Sequence, residues 1–508
     1  MSALPDMPKY YLTTTLPYVN ADPHIGFALE IIQADILARA ERLRGNEVVF
    51  NTGTDEHGLK IWQKAQEAGV EPKAYCDEYA AKFHGLKDAL NLTYTNFIRT
   101  TDAHHVAAAQ EFWKRCDASG DIYKKAYKVK YCVGCELEKT DSDLVDGRCP
   151  IHPKLEIEII DEENYFFRFS KYGEALLAHY ESHPDFVVPD TRLNEIRSFV
   201  AGGLQDFSIS RLASKLPWGV PVPNDPEQVM YVWFDALVNY ISTLGWPENQ
   251  KNFETFWPGV QVAGKDNLRQ QSAMWQAMLL SAKLPLSKQI FIHGFITAEG
   301  QKMSKSLGNV VNPYDLVARY GTDAVRHYLV GALPAYADGD FSQKLFEEHY
   351  GSKLVNGIGN LSSRVGTMVG KYCEGKAPAI APDIFDVEGF WKRYDDALAR
   401  FHFDDALKAI DELVASCNKE IDIQAPFKKA KEGIDVSPFM YQLSEALRHI
   451  GLALLPVIPA GATNVLANLS VDAEKASWND RSWGGLKPGA PIMKGDILFP
   501  RLEVESKA

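Results

Sequence analysis

The sequence predicts an α/β fold, a parallel sheet interrupted by an inserted domain and followed by an all-α region. Three observations carry this reading. Strand-like and helix-like runs alternate from Lys9 onward, residues 120–225 break into short strand-like pieces around a cysteine cluster, and the chain beyond about Gly370 is helical in its periodicity. With 508 residues and 46% hydrophobic content, about three domains are expected.

Lys9-Tyr-Tyr-Leu-Thr-Thr-Thr15 is aromatic and β-branched, as a buried strand is, and Leu16-Pro17-Tyr18 closes it. Asp22 is placed to cap a helix with Pro23 at its first position. Ile25, Leu29, Ile32, Ile36 and Leu43 form the apolar stripe of that helix, which ends at Gly45. Val48-Val49-Phe50-Asn51 reads as a second strand. Strand, loop, helix and strand open a parallel sheet, and such sheets take ligands at the carboxyl ends of their strands. The segment Pro23-His24-Ile25-Gly26-Phe27 lies at such an end.

The inserted domain leaves through a Pro/Gly-rich exit, Pro217-Trp-Gly-Val-Pro-Val-Pro223. The α/β pattern is then expected to resume with Met230-Tyr-Val-Trp233, a helical stretch from about Gln270 to Leu280, and a strand at Gln289-Ile-Phe-Ile-His293. Phe403, Leu407, Ile410, Val414 and Cys417 mark one face of a C-terminal helix. The expected division is 1–119 and 226–330 for the two halves of the sheet domain, 120–225 for the insertion, 331–369 for a linker and 370–508 for the helical domain.

A net charge of −13 argues against a generally adhesive nucleic-acid binder, although a local basic surface remains compatible with RNA. The N-terminal residues lack the pattern of a signal peptide and no apolar run is long enough to span a bilayer, so a cytoplasmic location without membrane attachment is expected. Cys76, Cys116, Cys373 and Cys417 are expected as buried small apolar residues. The other cysteines cluster. Cys132-Val-Gly-Cys135 and Cys149-Pro-Ile-His152 give C-x2-C-x13-C-x2-H, a set of three thiolates and one imidazole that fits a closed tetrahedral zinc site. A redox CxxC would leave Cys149 and His152 without a task.

His24 and Gly26 suit a phosphate cradle, yet for three residues alone an ordinary turn with a satisfied histidine is the more common explanation. Lys302-Met-Ser-Lys-Ser306 suits a polyphosphate grip, and a solvated basic loop explains it too. Together, on the two halves of an interrupted α/β domain, they resemble the HIGH and KMSKS signatures of class I aminoacyl-tRNA synthetases. Leu16-Pro-Tyr-Val-Asn20, Gly53-Thr-Asp-Glu-His-Gly58, Tyr231-Val-Trp-Phe-Asp235, Gly264-Lys-Asp266 and His293-Gly-Phe-Ile-Thr297 are similar, in order and spacing, to the methionyl family of that class. The resemblance covers nearly the whole chain.

That resemblance implies a Rossmann-like catalytic domain, a connective insertion carrying one structural zinc, and an anticodon-binding helical bundle. It implies ATP-dependent activation of methionine and transfer to the 3′ end of methionine tRNA, initiator and elongator alike. Such activation needs positioning and charge neutralisation, and no general base. By resemblance, His24, Lys302 and Lys305 are catalytic, with Gly26, Glu30, Gly264 and Asp266 at the ATP and Mg2+ accompanying it. A solvated helix-face role is the alternative for Glu30.

The amino-acid site carried over in the same way comprises Leu16, Tyr18, Asp55, Trp233, Ala236, Tyr240, Asn267, Gln271 and Trp275. The family has an apolar residue in place of Asn267 and a histidine in place of Gln271. Gln271 retains an N–H to offer a thioether sulfur; alternatively, both side chains bond to each other or to backbone behind the pocket. Phe27 stands where the HIGH signature repeats histidine. Asn360, Arg364, Pro426 and Phe427 match anticodon-reading positions, and a monomer is expected because no dimer-forming C-terminal module is visible. The departures leave two rivals, a class I synthetase for another amino acid and a noncatalytic tRNA-binding relative.

Overall fold

Six parallel strands form the central sheet: β1 (Lys9–Thr14), β2 (Glu47–Thr54), β3 (Asn96–Arg99), β4 (Val187–Val188), β5 (Val260–Gly264) and β6 (Gln289–His293). They lie in the spatial order β3-β2-β1-β5-β6-β4. The computed structural model describes residues 7–135, 137–303 and 308–502, and the side chain of Lys302 is not among those described. Every residue of β5 is buried, as a strand covered on both faces requires. Strand order reverses between β1 and β5, which opens a crevice at their carboxyl ends.

The first helix, α1 (Ile25–Leu43), starts later than expected. Its cap is His24, not Asp22: the Gly26 N–H donates to His24 Nδ1 at 3.0 Å, while Asp22 pairs with Lys82 at 2.9 Å. The imidazole replaces a short polar side chain as cap and leaves Pro23 outside the helix.

Within the expected insertion, an antiparallel sheet is built on the long ribbon of Ile122–Cys132 and Glu158–Phe167. The chain then returns to the central sheet, because Val187–Val188 is its edge strand β4, so residues 120–225 are not one spatial unit. Met230-Tyr-Val-Trp233 does not rejoin the parallel sheet as expected: Val232–Ala236 is a short helix, and Met230 ends the antiparallel strand Asp225–Met230, paired with Ser210–Leu212. Its opening Asp225-Pro-Glu is polar and accessible, which a strand buried on both faces cannot accommodate.

Helical structure also begins earlier than Gly370, at Pro313–Tyr320 and Thr322–Gly331, and continues from Gln343–His349 through a π-helical stretch, Tyr350–Gly359, into Asn360–Tyr372. Phe403, Leu407, Ile410, Val414 and Cys417 are all buried along Phe403–Gln424. Of the four isolated cysteines, Cys76, Cys116 and Cys417 are buried as expected; Cys373 is only partly covered.

The helical region shares a core with the sheet domain. Phe291 of β6 stacks on Phe401 with centroids 4.8 Å apart and rings 5° from parallel. The fully buried Arg326 donates to the carbonyls of Leu90 (2.9 Å), Pro456 (2.9 Å) and Val457 (2.7 Å) and to Asp35 of α1 (2.8 Å). One guanidinium therefore ties the sheet domain to the bundle. Burial pushes the Asp35 carboxyl up, but Arg326, Arg39 and the Thr93 hydrogen bond overcome it and hold it below the usual carboxylate range. Among the described residues, no helix is long and apolar enough to cross a membrane.

Candidate active site

At the mouth of the crevice the segment 23–27 meets Met303 and the chain that follows the segment 302–306. The Ile25 N–H donates to the Val311 carbonyl at 3.1 Å, and a Cβ placed on Gly26 would lie 3.9 Å from Met303 Cε. The same Cβ would sit 2.8 Å from the His24 ring, so the cap requires glycine here. Because His24 Nδ1 accepts, the imidazole is neutral and its proton is on Nε2, on an exposed residue. Desolvation by the surrounding protein lowers the His24 pKa in the same sense.

The N–H groups of α1's first turn are already engaged: Gly26 with His24 Nδ1, and Phe27 and Ala28 with the His24 carbonyl. The expected backbone cradle near Gly26 is therefore closed in this conformation, and the donor left to an anion is His24 Nε2–H. Lys302 lies on the strand Gln301–Lys302, opposite Thr297 in a hairpin with Ile296–Ala298. Lys305 lies outside the described residues.

Glu30 is buried, which removes the solvated helix-face alternative. Its carboxylate accepts from the N–H and hydroxyl of Thr15, from the Gly264 N–H at 3.1 Å and from His293 Nε2 at 3.0 Å. These donors stand at the ends of β1, β5 and β6, so Glu30 braces the floor of the crevice. His293 Nδ1 lies 2.8 Å from the Gly294 carbonyl. Burial lowers the His293 pKa, but Glu30 and that carbonyl reverse the effect and raise it. Asp266 is exposed just beyond Gly264, and its Oδ1 accepts from Asn267 Nδ2 at 3.3 Å.

Most residues expected around the amino acid converge. A backbone ladder, Val19 N–H to Asp55 O and Asp55 N–H to Pro17 O, sets Asp55 beside Tyr18, with Leu16 preceding it. Tyr18 meets Trp233 edge-to-face at 6.4 Å, and Tyr240 meets the fully buried Trp275 edge-to-face at 5.8 Å. Trp233 and Ala236 share the short helix Val232–Ala236, and Tyr240 follows on Asn239–Ser242.

Two features depart from expectation. Gln271 does not bond to Asn267, whose amide is turned to Asp266. Its partners are instead two other side chains: Gln271 Nε2 donates to Tyr240 Oη at 2.7 Å, and Oε1 accepts from Gln261 Nε2 at 3.1 Å. The residue sits in a π-helical turn, Gln270–Met274, a local widening frequent at functional sites.

Sequence reasoning missed Asp235. Fully buried, it accepts from His57 Nδ1 at 2.8 Å and His105 Nε2 at 3.0 Å, locking the Trp233 helix to the Asp55 segment. Burial raises its pKa, and the two histidines more than offset this, leaving it lowered. His57 and Asp235 both lie inside quoted motifs, but a pairing across 178 positions has no local signal.

Cys132, Cys135, Cys149 and His152 do come together, their ligand atoms all within 4.8 Å of one another. Cys135 Sγ is 3.5 Å from Cys149 Sγ and 3.2 Å from His152 Nδ1, and Cys132 Sγ is 3.8 Å from the same nitrogen. Ligands about 2.0–2.3 Å from a tetrahedral zinc stand about 3.5–3.8 Å apart, so the set fits that ion. Gly134 permits the closure, since a Cβ there would lie 2.5 Å from the His152 ring. Lys60, on the helix Leu59–Ala68 that follows the Asp55 segment, reaches the Gly134 carbonyl at 3.4 Å and places Nζ 5.9 Å from the Tyr18 ring centroid.

In the bundle, Asn360 is exposed and Arg364 donates to Asn418 Oδ1 at 2.8 Å and Asp422 Oδ1 at 3.2 Å. Pro426 is buried at the start of Pro426–Lys431, while Phe427 is 52% exposed, unusual for a phenylalanine.

A family model described as class I tRNA synthetases (M) matches residues 10–156 and 152–366. A methionine–tRNA ligase of Thermosynechococcus vestitus is 43% identical, the match covering 97% of this chain and 98% of that protein. One from Thermotoga maritima is 42% identical, over 98% of this chain and 81% of its own. Among solved structures, the Mycobacterium tuberculosis methionyl-tRNA synthetase in complex with methionyl-adenylate aligns with a TM-score of 0.92 at 38% identity, covering 97% of this chain and 100% of that one.

Proposed function

The chain belongs to the methionyl family of class I tRNA synthetases, the methionine–tRNA ligases, and from that membership we propose which residues carry each part of the reaction. The observation that supports the assignment most directly is the junction, at the mouth of the crevice, of Ile25 with Val311 and of Gly26 with Met303. In the first step the methionine carboxylate attacks the α-phosphate of ATP, a new oxygen–phosphorus bond forms, and pyrophosphate leaves with the electrons of the broken one.

Asp55 holds the ammonium group of methionine. Leu16, Tyr18, Trp233, Ala236, Tyr240 and Trp275 enclose its side chain, where aromatic faces suit a polarizable thioether. Asn267 and Gln271 act one layer out, through Asp266 and Tyr240 respectively. His24 Nε2–H contacts the triphosphate, Gly26 leaves room for it, and Lys302 and Lys305 stabilise charge on the departing pyrophosphate. Gly264 and Asp266 face the nucleoside, and Glu30 acts by holding Gly264. ATP carries Mg2+. In the second step the terminal ribose hydroxyl of methionine tRNA, initiator or elongator, attacks the adenylate carbonyl and AMP leaves.

Cys132, Cys135, Cys149 and His152 hold one zinc, whose contribution is structural. Lys60 then links that knuckle to the amino-acid end. Elemental analysis is expected to find about one zinc per chain, and a folded, active, metal-free protein would overturn this. Asn360, Arg364, Pro426 and Phe427 read the anticodon, Phe427 by stacking on an unpaired base. The protein acts as a monomer.

Amino-acid-dependent ATP–pyrophosphate exchange across a panel tests the assignment. Methionine is expected to support exchange far above any other amino acid. Preference for another amino acid, or exchange with none, would refute it.

A further inference from the structure

Behind the amino-acid end lies a buried polar circuit in which Gln261, Gln271 and Gln276 are each at most 1% exposed and Ser287 is 4% exposed. Four polar residues inside an apolar core are costly unless every group is paired in a consistent direction. An amide can be turned either way, so direction has to be read from groups that allow no choice. The backbone supplies two such groups.

The Ser287 N–H can only donate, and it lies 3.1 Å from Gln276 Oε1. The Gln271 carbonyl can only accept, and it lies 2.8 Å from Gln276 Nε2. The Gln276 amide is thereby oriented. Its remaining N–H is directed at Ser287 Oγ at 3.0 Å, and the single proton of that hydroxyl finds its acceptor in the circuit when Gln261 turns Oε1 toward it, at 2.7 Å. Gln261 then presents Nε2 to Gln271 Oε1 at 3.1 Å, and Gln271 presents Nε2 to Tyr240 Oη at 2.7 Å. The phenol oxygen is an acceptor in that contact. Its own proton must point elsewhere, and the Asn239 side chain, the other polar neighbour of that hydroxyl, is already engaged with Asn51 at 3.1 Å and the Ala236 carbonyl at 2.7 Å.

We infer that Ser287, Gln276 and Gln261 are positioning residues for substrate selection: they set the polarity of Gln271 so that the Tyr240 hydroxyl is held as a donor toward the bound side chain. The inference rests on the placement of methionine against Tyr240 proposed above. A thioether sulfur accepts from such a donor. A methylene in the same place cannot, and leaves a buried hydroxyl unpaired. Without Ser287 Oγ the direction of Gln261 is no longer imposed, Gln271 is free to turn its oxygen toward Tyr240, and the phenolic proton is consumed inside the protein.

The test compares methionine with norleucine, which replaces sulfur by methylene, in ATP–pyrophosphate exchange by wild type, Ser287→Ala, Ser287→Thr and Gln261→Glu. Ser287→Ala is expected to lower the ratio of kcat/KM for methionine over norleucine about three- to tenfold, through KM for methionine. Ser287→Thr retains the hydroxyl and is expected to restore the ratio. Gln261→Glu keeps the shape and, as the carboxylate, offers only acceptors to Gln271; measured at a pH where that carboxyl is ionised, it is expected to lower the ratio at least as far. An unchanged ratio in Ser287→Ala or Gln261→Glu, with Tm close to wild type, would overturn the inference, as would an equal loss in Ser287→Thr. A wild type that fails to activate methionine would instead refute the assignment of function, which separates the two failures.

Discussion

The crevice has two unlike ends. At the amino-acid end Tyr240, Gln271, Trp275 and Asp235 are nearly or wholly buried, and the polar side-chain atoms of Tyr240, Gln271 and Asp235 are tied by hydrogen bonds between residues far apart in the chain. At the nucleotide end His24 and Asp266 are exposed, and Lys302 belongs to a hairpin strand at the rim. The difference follows from the two tasks. Choosing one side chain requires a shape and a donor pattern fixed before binding. Neutralising a triphosphate whose outer part departs requires long cationic side chains that approach from outside. Glu30 joins the two ends, since one carboxylate bonds both Thr15 and Gly264.

The largest expected effect tests that division at its open end. Lys305→Ala should slow adenylate formation about 100-fold or more while methionine affinity, followed by tryptophan fluorescence, stays within about twofold. A parallel loss of methionine affinity would show that the ends are not separate. Glu30→Gln attacks the joint between them. The amide must set an N–H against one of four donors and strips His293 of its anionic partner, at a cost of about 2–3 kcal/mol, or about 30- to 150-fold, spread over both KM values and stability. A rise in the ATP KM alone would instead make Glu30 a nucleotide contact.

The same substitution carries a pH signature. The folded-state pKa of His293 is raised, so its contribution to stability is complete below the ordinary histidine value of about 6.5 and is lost as pH rises through the folded value. Wild-type Tm should therefore decline on that side, and Glu30→Gln should decline less. Equal slopes would separate His293 from Glu30.

How much could be read in advance differs between the ends as well. β1, β2, β6, the body of α1, the cluster of three cysteines and one histidine, and the pairing of Tyr18 with Trp233 and of Tyr240 with Trp275 were legible because each rests on local spacing, on a buried apolar run, or on a motif whose resemblance carries residues over one at a time. What escaped is what links distant segments. Asp235 gathers His57 and His105, and Gln261 and Ser287 orient Gln271; none of these bonds leaves a periodic trace in the sequence. The edge strand β4 escaped for a related reason, since Val187–Val188 is too short to carry an alternation pattern. The cap on α1 was misread because Asp22 is the ordinary capping type, whereas the observed cap is an imidazole made possible by Gly26.

Two smaller effects bear on the open end alone. Desolvation by the surrounding protein lowers the His24 pKa, so the neutral donor form should persist below the ordinary histidine value of about 6.5. The His24-dependent part of the activation rate, taken as wild type against His24→Asn, should be flat from about pH 6.5 upward and fall only on the acidic side. An inflection above pH 7 would mean that His24 works as a cation.

Phe27 is expected to matter least to chemistry. Its ring meets Phe83 edge-to-face, centroids 5.3 Å apart and planes at 83°, and packs on the core beside α1. The side chain that departs from the HIGH signature is thus used for packing between helices, while His24 supplies the donor to the phosphates. Phe27→His should cost about 1 kcal/mol of stability, the scale of an aromatic pair, and leave the ATP KM within about twofold. Thermal unfolding and exchange kinetics on the one variant measure both. If the ATP KM instead fell fivefold or more with little loss of stability, the nucleotide end would be short of a polar contact at this position, and its openness would be a deficit in this chain.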